Sequence, residues 1–194
     1  MRYPALTVLW RIASTAATCA VVPALVSCGH YAEFADKTSA AMRTVSEPPP
    51  SVPHALMRIS TDGFTSVQPG TACDWAANPR GGVAVVATQL YVGARGVTGQ
   101  VLGVVGEAPK GVTSGELRVA ADEPVTVPYT ANWAVGNLQY VCRLTRSFVP
   151  VQGAHYQLLT SVDTRQQRCG MVVLQLAPEP MVVQLVDAPK CKLP

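Results

Sequence analysis

Charge is scarce in this chain. Only 14% of its 194 residues are charged and 6% are aromatic. Since 48% of them are apolar, the scarcity does not mean disorder, because there is enough apolar surface to bury a core. Histidine is nearly absent, at three residues, His30, His54 and His155. There is no Cys-x-x-Cys pair, no Gly-x-Ser-x-Gly elbow and no Gly-rich loop followed by Lys-Ser or Lys-Thr. Those gaps remove the usual sequence grounds for a zinc site, a serine hydrolase of the elbow type and a nucleotide-binding loop. No cofactor is expected. No acidic residue precedes Glu33, and no apolar run reaches the roughly 20 residues of a membrane-spanning helix.

What the first 30 residues hold is an export signal. Arg2 and Arg11 make a positive front, and Ile12 to Val26 is a run of 15 apolar or small residues. The run ends at Leu25-Val26-Ser27-Cys28-Gly29, with Leu three before Cys28 and small residues on either side of it. This pattern resembles the lipobox of bacterial lipoproteins. The resemblance implies cleavage before Cys28, a diacylglycerol on its thiol and an acyl chain on its new amino group. It also implies that Gly29, in place of an aspartate, directs the product to the outer membrane, facing the periplasm. The competing reading is an ordinary export signal or an uncleaved anchor, in which Cys28 is one more thiol. Two or three acyl chains anchor essentially permanently where a single one would not, because each buried methylene contributes about 0.8 kcal/mol. With residues 1–27 removed, Arg2 and Arg11 go too, leaving 13 of the 15 cations against 12 acids, a net charge of +1. No basic footprint for nucleic acid remains.

Residues 28–54 read as a tether. Tyr31 to Arg43 has the spacing of a short weak helix, and Glu47-Pro48-Pro49-Pro50-Ser51-Val52-Pro53 favours an extended polyproline spacer. His30 and His54 are expected in solvent.

Residues 55–194 read as one all-β domain, an antiparallel sandwich or small barrel. Apolar and polar residues alternate over Leu117–Ala121, Val125–Thr130, Leu138–Thr145 and Tyr156–Val162. Further strands are expected at Leu56–Ser60, Val83–Val92 and Met181–Val186. Met171–Leu176 is apolar enough for a strand buried on both faces. Pro128 predicts an edge or bulged strand around it, and the five glycines from Gly93 to Gly106 predict a long mobile loop.

After removal of Cys19 and commitment of Cys28, the domain keeps Cys73, Cys142, Cys169 and Cys191. An even number in an oxidising compartment predicts two disulfides. Of the three pairings, Cys142–Cys169 with Cys73–Cys191 is favoured. Tyr140-Val141-Cys142 also fits the spacing before the second cysteine of an immunoglobulin domain, which would pair Cys73 with Cys142. Trp75 and Trp133 stand too near those cysteines for that fold, and three strands follow Cys142 where one should.

A hydrolase would have to draw on His155, with Asp163 and Ser147 or Ser161. Asp122-Glu123 is a possible carboxylate pair, although its neighbour Pro124 predicts a turn. Arg143, Arg146, Arg165 and Arg168 give the later hairpins a basic character that suits an anionic glycan or lipid headgroup. The functional expectation is a membrane-anchored, non-catalytic envelope module that meets a protein or another envelope component. The alternative is a glycan- or lipid-binding module using the Gly93–Gly106 loop with Trp75 or Trp133.

Overall fold

The computed structural model describes residues 43–87 and 96–192. The signal segment, Cys28, His30, most of the Tyr31–Arg43 stretch and residues 88–95 lie outside them.

Every regular element among the described residues is a strand. They are β1 (His54–Thr61), β2 (Phe64–Pro69), β3 (Gly82–Val86), β4 (Thr113–Ala120), β5 (Val125–Val135), β6 (Leu138–Phe148), β7 (His155–Asp163), β8 (Arg168–Ala177), β9 (Met181–Val182) and β10 (Val186–Asp187). One sheet has the order β4-β1-β7-β8-β9 and the other β10-β6-β5-β2-β3. All neighbours pair antiparallel except β1 and β7, which run parallel. A parallel pair needs a crossover, and here the chain passes through β2, β3, β5 and β6 of the second sheet, and β4 of its own, between the two strands.

Period-2 alternation sends one side of each sheet inward. Met57, Ile59, Leu117, Val119, Tyr156, Leu158 and Val173 from one sheet meet Val67, Val85, Val125, Val127 and Phe148 from the other in a single buried cluster. Phe148 and Tyr156 meet edge to face across the gap, with ring centroids 5.3 Å apart. The fold is an all-β sandwich with two disulfides, Cys73–Cys191 and Cys142–Cys169. Because Cys73 joins Cys191, the immunoglobulin arrangement is overturned. Cys142 of β6 and Cys169 of β8 belong to different sheets, so their bridge ties the two layers together.

Several expectations are corrected. Residues 43–53 are not free spacer. The Val45 side chain is buried in the core, and its amide donates to the Val83 carbonyl at 3.0 Å. The Glu47 carboxylate receives the Gln100 side chain at 2.8 Å and the Arg118 amide at 2.9 Å, which caps the free edge of β4. The domain therefore begins near Thr44, not at residue 55. The described part of the glycine-rich stretch is docked rather than loose, with Val97 and Val104 buried. Its backbone bonds to Ala84 on one side and Ser114 on the other, bridging the edges of β3 and β4. Gly96 takes φ +54° there, and a Cβ on it would lie 2.3 Å from the Ala84 carbonyl oxygen.

Pro128 lies on β5, an interior strand flanked by β6 and β2. β2 and β5 pair at Phe64–Thr130 and Thr65–Tyr129, then resume at Gln68–Thr126, with Pro128 in the interval where its missing N–H breaks the ladder. β8 is not buried on both faces, since Val173 is covered while Val172 is exposed. The Met181–Val186 run divides into β9 and β10, which add to the edges of different sheets. β2 escaped the sequence reading because its inward positions include Thr65 as well as Val67.

Candidate functional site

The chemistry-bearing residues fall into three places. The first is the outer face of the β4-β1-β7 sheet. Arg58 and Glu116 sit opposite each other in the β1–β4 register, and Gln157 stands beside Arg58 on β7. All three are buried. The Arg58 guanidinium donates to Glu116 Oε1 at 2.8 Å and to the Val104 carbonyl at 2.6 Å. Glu116 Oε2 accepts the amides of Leu102, Gly103 and Val104 at 2.6, 2.8 and 3.1 Å. Residues 101–105 thus lie as a strap over a polar row, with the carboxylate of Glu116 seated in a nest of three N–H groups. Burial alone would push the Glu116 carboxyl up. The hydrogen bonds from Leu102, Val104, Arg58 and Gly103 outweigh it and hold the group below its ordinary value. At the strap's far end the Val105 amide donates to His155 Nδ1 at 3.1 Å. None of this pattern was read from the sequence, where Arg58 and Glu116 look like ordinary solvent-facing positions of alternating strands.

The residues considered for hydrolysis do not converge. His155 and Asp163 occupy opposite ends of β7, eight residues apart, which is roughly 26 Å along an extended strand. Asp163 Oδ1 accepts the Arg165 and Gln166 amides in the following turn. Ser147 is buried on β6 in the other sheet, and Ser161 is exposed. Asp122 and Glu123 lie in a turn, with Asp122 at φ +59° and Glu123 paired to Arg80 at 3.0 Å.

The second place is a shallow groove of about 190 Å³ on the outer face of the other sheet. Phe64, Ser66, Pro128 and Thr130 contribute to its floor, and Asp74 and Trp75 to its rim. The rim is rigid: Gln68 binds both the Asp74 side chain (3.0 Å) and the Trp75 amide (2.8 Å), and Cys73–Cys191 holds the loop next to them. At about 30 Å³ per water the space holds roughly six waters, well under a typical small-molecule site, so it suits one small ring. Of the features expected to form a ligand site, Trp75 lines this groove. Trp133 and the described part of the Gly93–Gly106 stretch do not.

The third place is the end of the sandwich where β5–β6 and β7–β8 turn. The β5–β6 hairpin runs on to a two-residue turn, Gly136-Asn137, with Gly136 at the φ of +60° that such a turn requires. Trp133 and Tyr140 face each other across it, stacked with centroids 5.4 Å apart and planes 14° from parallel. One register step deeper, Cys142 reaches across to Cys169, and Gln167 Nε2 donates to the Tyr140 hydroxyl at 3.2 Å. The indole Nε1 of Trp133 is shielded from solvent and has no acceptor. Beyond these cross-links Val135 and Leu138 are 47% and 62% exposed beside the polar Asn137 and Gln139, and on the opposite face of the hairpin Val141 is 58% exposed. Arg143, Arg165 and Arg168 are exposed around them and form no ion pair among the described residues, whereas Arg146 is joined to Asp187.

All four domain cysteines are bonded, and among the described residues no three His, Cys, Asp or Glu side chains are grouped to hold a metal. No protein-family model, curated protein or solved structure matches the chain.

Proposed function

We propose that this protein is a bacterial envelope lipoprotein, anchored in the outer membrane through acyl chains on Cys28 and facing the periplasm. Its cross-linked sandwich serves there as a non-catalytic binding module. The observation that supports a binding role is the hairpin end. Exposed apolar side chains grouped at one end of a small domain mark an interaction surface, and here they are held in one geometry by a disulfide and an aromatic stack. The anchor rests on the pattern around Cys28, and the disulfides are what an oxidising compartment permits.

Mass spectrometry of the protein recovered from its native membrane tests the anchor. The expected terminus is Cys28 carrying a diacylglyceryl group and an amide-linked acyl chain. A chain that begins elsewhere with a free Cys28 thiol overturns that part. Turnover of an esterase, peptidase or glycosidase substrate that disappears with His155→Ala overturns the non-catalytic part.

A second reading is favoured by the groove beside Trp75, which could seat one sugar ring of an envelope glycan against the indole. Under it, peptidoglycan fragments or oligosaccharides change tryptophan emission, and Trp75→Ala abolishes the change. An emission spectrum unmoved by any of them removes that reading.

A further inference from the structure

We infer that the β5–β6 hairpin tip is a membrane-contact device, and that its ligand is the surface of a bilayer containing anionic phospholipid. Along the axis of the hairpin the side chains follow one order, apolar, then aromatic, then cationic. The turn carries Val135 and Leu138, the most advanced apolar residues. Tyr140, stacked on Trp133, stands two residues behind Leu138, about 7 Å at strand rise. That matches the roughly 5–10 Å to which interfacial segments bury their apolar face, and it places an aromatic pair at headgroup level, where such rings are favoured.

Behind the aromatics come the cations. Cys142 and Cys169 point between the sheets, so their neighbours Arg143 and Arg168 project outward on opposite faces. Arg165 lies further out, in the β7–β8 turn whose Gln167 binds the Tyr140 hydroxyl, at the level of the aromatics. These three guanidiniums have no partner among the described residues, so phosphate can reach them. The two acids at this end, Asp62 and Asp163, keep their charge but are fewer than the three guanidiniums, and both are held by neutral donors. Asp62 accepts the Tyr129 hydroxyl and the Val162 amide, and Asp163 accepts two amides of its own turn. The disulfide and the Gln167–Tyr140 bond keep the two hairpins together, so little ordering is lost on contact.

The attachment point permits this contact. The chain enters beside Val83 at the start of β3, the end remote from the tip, and β5 is about 34 Å long. The 15 residue steps from Cys28 to Arg43 reach at most about 50 Å, enough for an anchored domain to turn its hairpin toward the leaflet that holds it. The inference itself does not need the anchor.

The test uses the full, naturally processed chain carrying Asn137→Cys labelled with nitrobenzoxadiazole. It is reconstituted on vesicles of phosphatidylcholine alone or mixed with phosphatidylglycerol. The expected result is a blue-shifted probe, quenched by brominated lipid, only where phosphatidylglycerol is present. Arg143→Gln, Arg165→Gln and Arg168→Gln each lower the inserted-to-free ratio about fivefold. Leu138→Asp removes the signal while a non-reducing peptide map still shows both disulfides. A probe that stays aqueous on both vesicles overturns the inference, as does an equal shift on pure phosphatidylcholine or one that survives all three Arg replacements. If the protein remains vesicle-bound while the probe stays in water, the hairpin inference fails and the Cys28 anchor stands.

Discussion

Arg58 and Glu116 form an ion pair at 2.8 Å with side chains only 6% and 4% exposed, and both charges also hold the strap that covers them. A buried pair of this kind does little net stabilising over an apolar alternative. Breaking it from one side leaves an uncompensated charge. Glu116→Gln is therefore expected to destabilise the domain by about 3–5 kcal/mol, because Arg58 stays buried with its charge unanswered. Urea denaturation of the two proteins checks it, and a loss under 1 kcal/mol would show that Arg58 escapes to solvent.

The same carboxyl sets the acid limit. Its folded pKa lies below the ordinary value of 4.5, so the unfolded chain takes up the proton first as pH falls. The stabilisation is complete above about pH 4.5 and drains away as pH drops toward the folded pKa. Melting temperature against pH should fall more steeply below that point in the native protein than in Glu116→Gln, which has no proton to gain there.

The strap shows where the sequence stops being readable. Strand positions follow from alternation, a local property, and seven of the eight expected strands appear as single strands near their places. The pairing of Cys142 with Cys169 was legible as a link between central strands of successive hairpins, although the two stand at different depths, Cys142 opposite Ala131 and Cys169 opposite Val162. The Gly93–Gly106 stretch and the proline run looked loose because glycine and proline mark irregular backbone. What fixes them is distant in sequence: Glu116 for residues 102–104, Arg118 and Gln100 for Glu47. Periodicity carries no information about contacts of that range, and the exposed hairpin tip is equally silent, because its alternation is the same inside the sandwich and beyond it.

Tyrosine ionisation gives an independent check of the core. Burial, then the hydrogen bond to and the negative charge of Asp62, push the Tyr129 hydroxyl far above its ordinary value. Burial also raises Tyr156, partly offset by its bond from the Val151 amide. Both groups stabilise the fold fully below about pH 10, and that contribution is lost as pH rises beyond it. An ultraviolet titration should show these two phenols ionising only together with unfolding. Tyr129→Phe should remove one of them from the step and lower stability by about 1–2 kcal/mol through loss of the Asp62 bond.

The disulfides differ in the loops they close, with sequence separations of 27 for Cys142–Cys169 and 118 for Cys73–Cys191. In the chain-entropy account, removing them costs about 3.5 and about 5 kcal/mol respectively. Cys142→Ala/Cys169→Ala is expected to loosen the β5–β6 hairpin in addition, which hydrogen exchange at residues 132–141 would detect. Cys73→Ala/Cys191→Ala should leave those amides unchanged and release the Trp75 rim instead. Equal exchange patterns in the two double variants would contradict the separate roles.

Two strand glycines separate close approach from backbone freedom. A Cβ on Gly115 would lie 2.3 Å from the Val97 carbonyl oxygen, where residues 97–99 cross β4 ahead of the strap, so Gly115→Ala must push that segment outward. Overpacking of this kind costs about 1–3 kcal/mol. The displacement should speed exchange of the Gly99 amide, which bonds to the neighbouring Ser114 carbonyl. Gly170 on β8 has nothing within 4 Å of its Cβ position and no positive φ. Gly170→Ala is therefore expected to be neutral or to stabilise by up to about 1 kcal/mol, since alanine restricts the unfolded chain. If both replacements behave alike in thermal denaturation, residues 97–99 are not seated against β4 as described, and the protection assigned to their hydrogen bonds has another source.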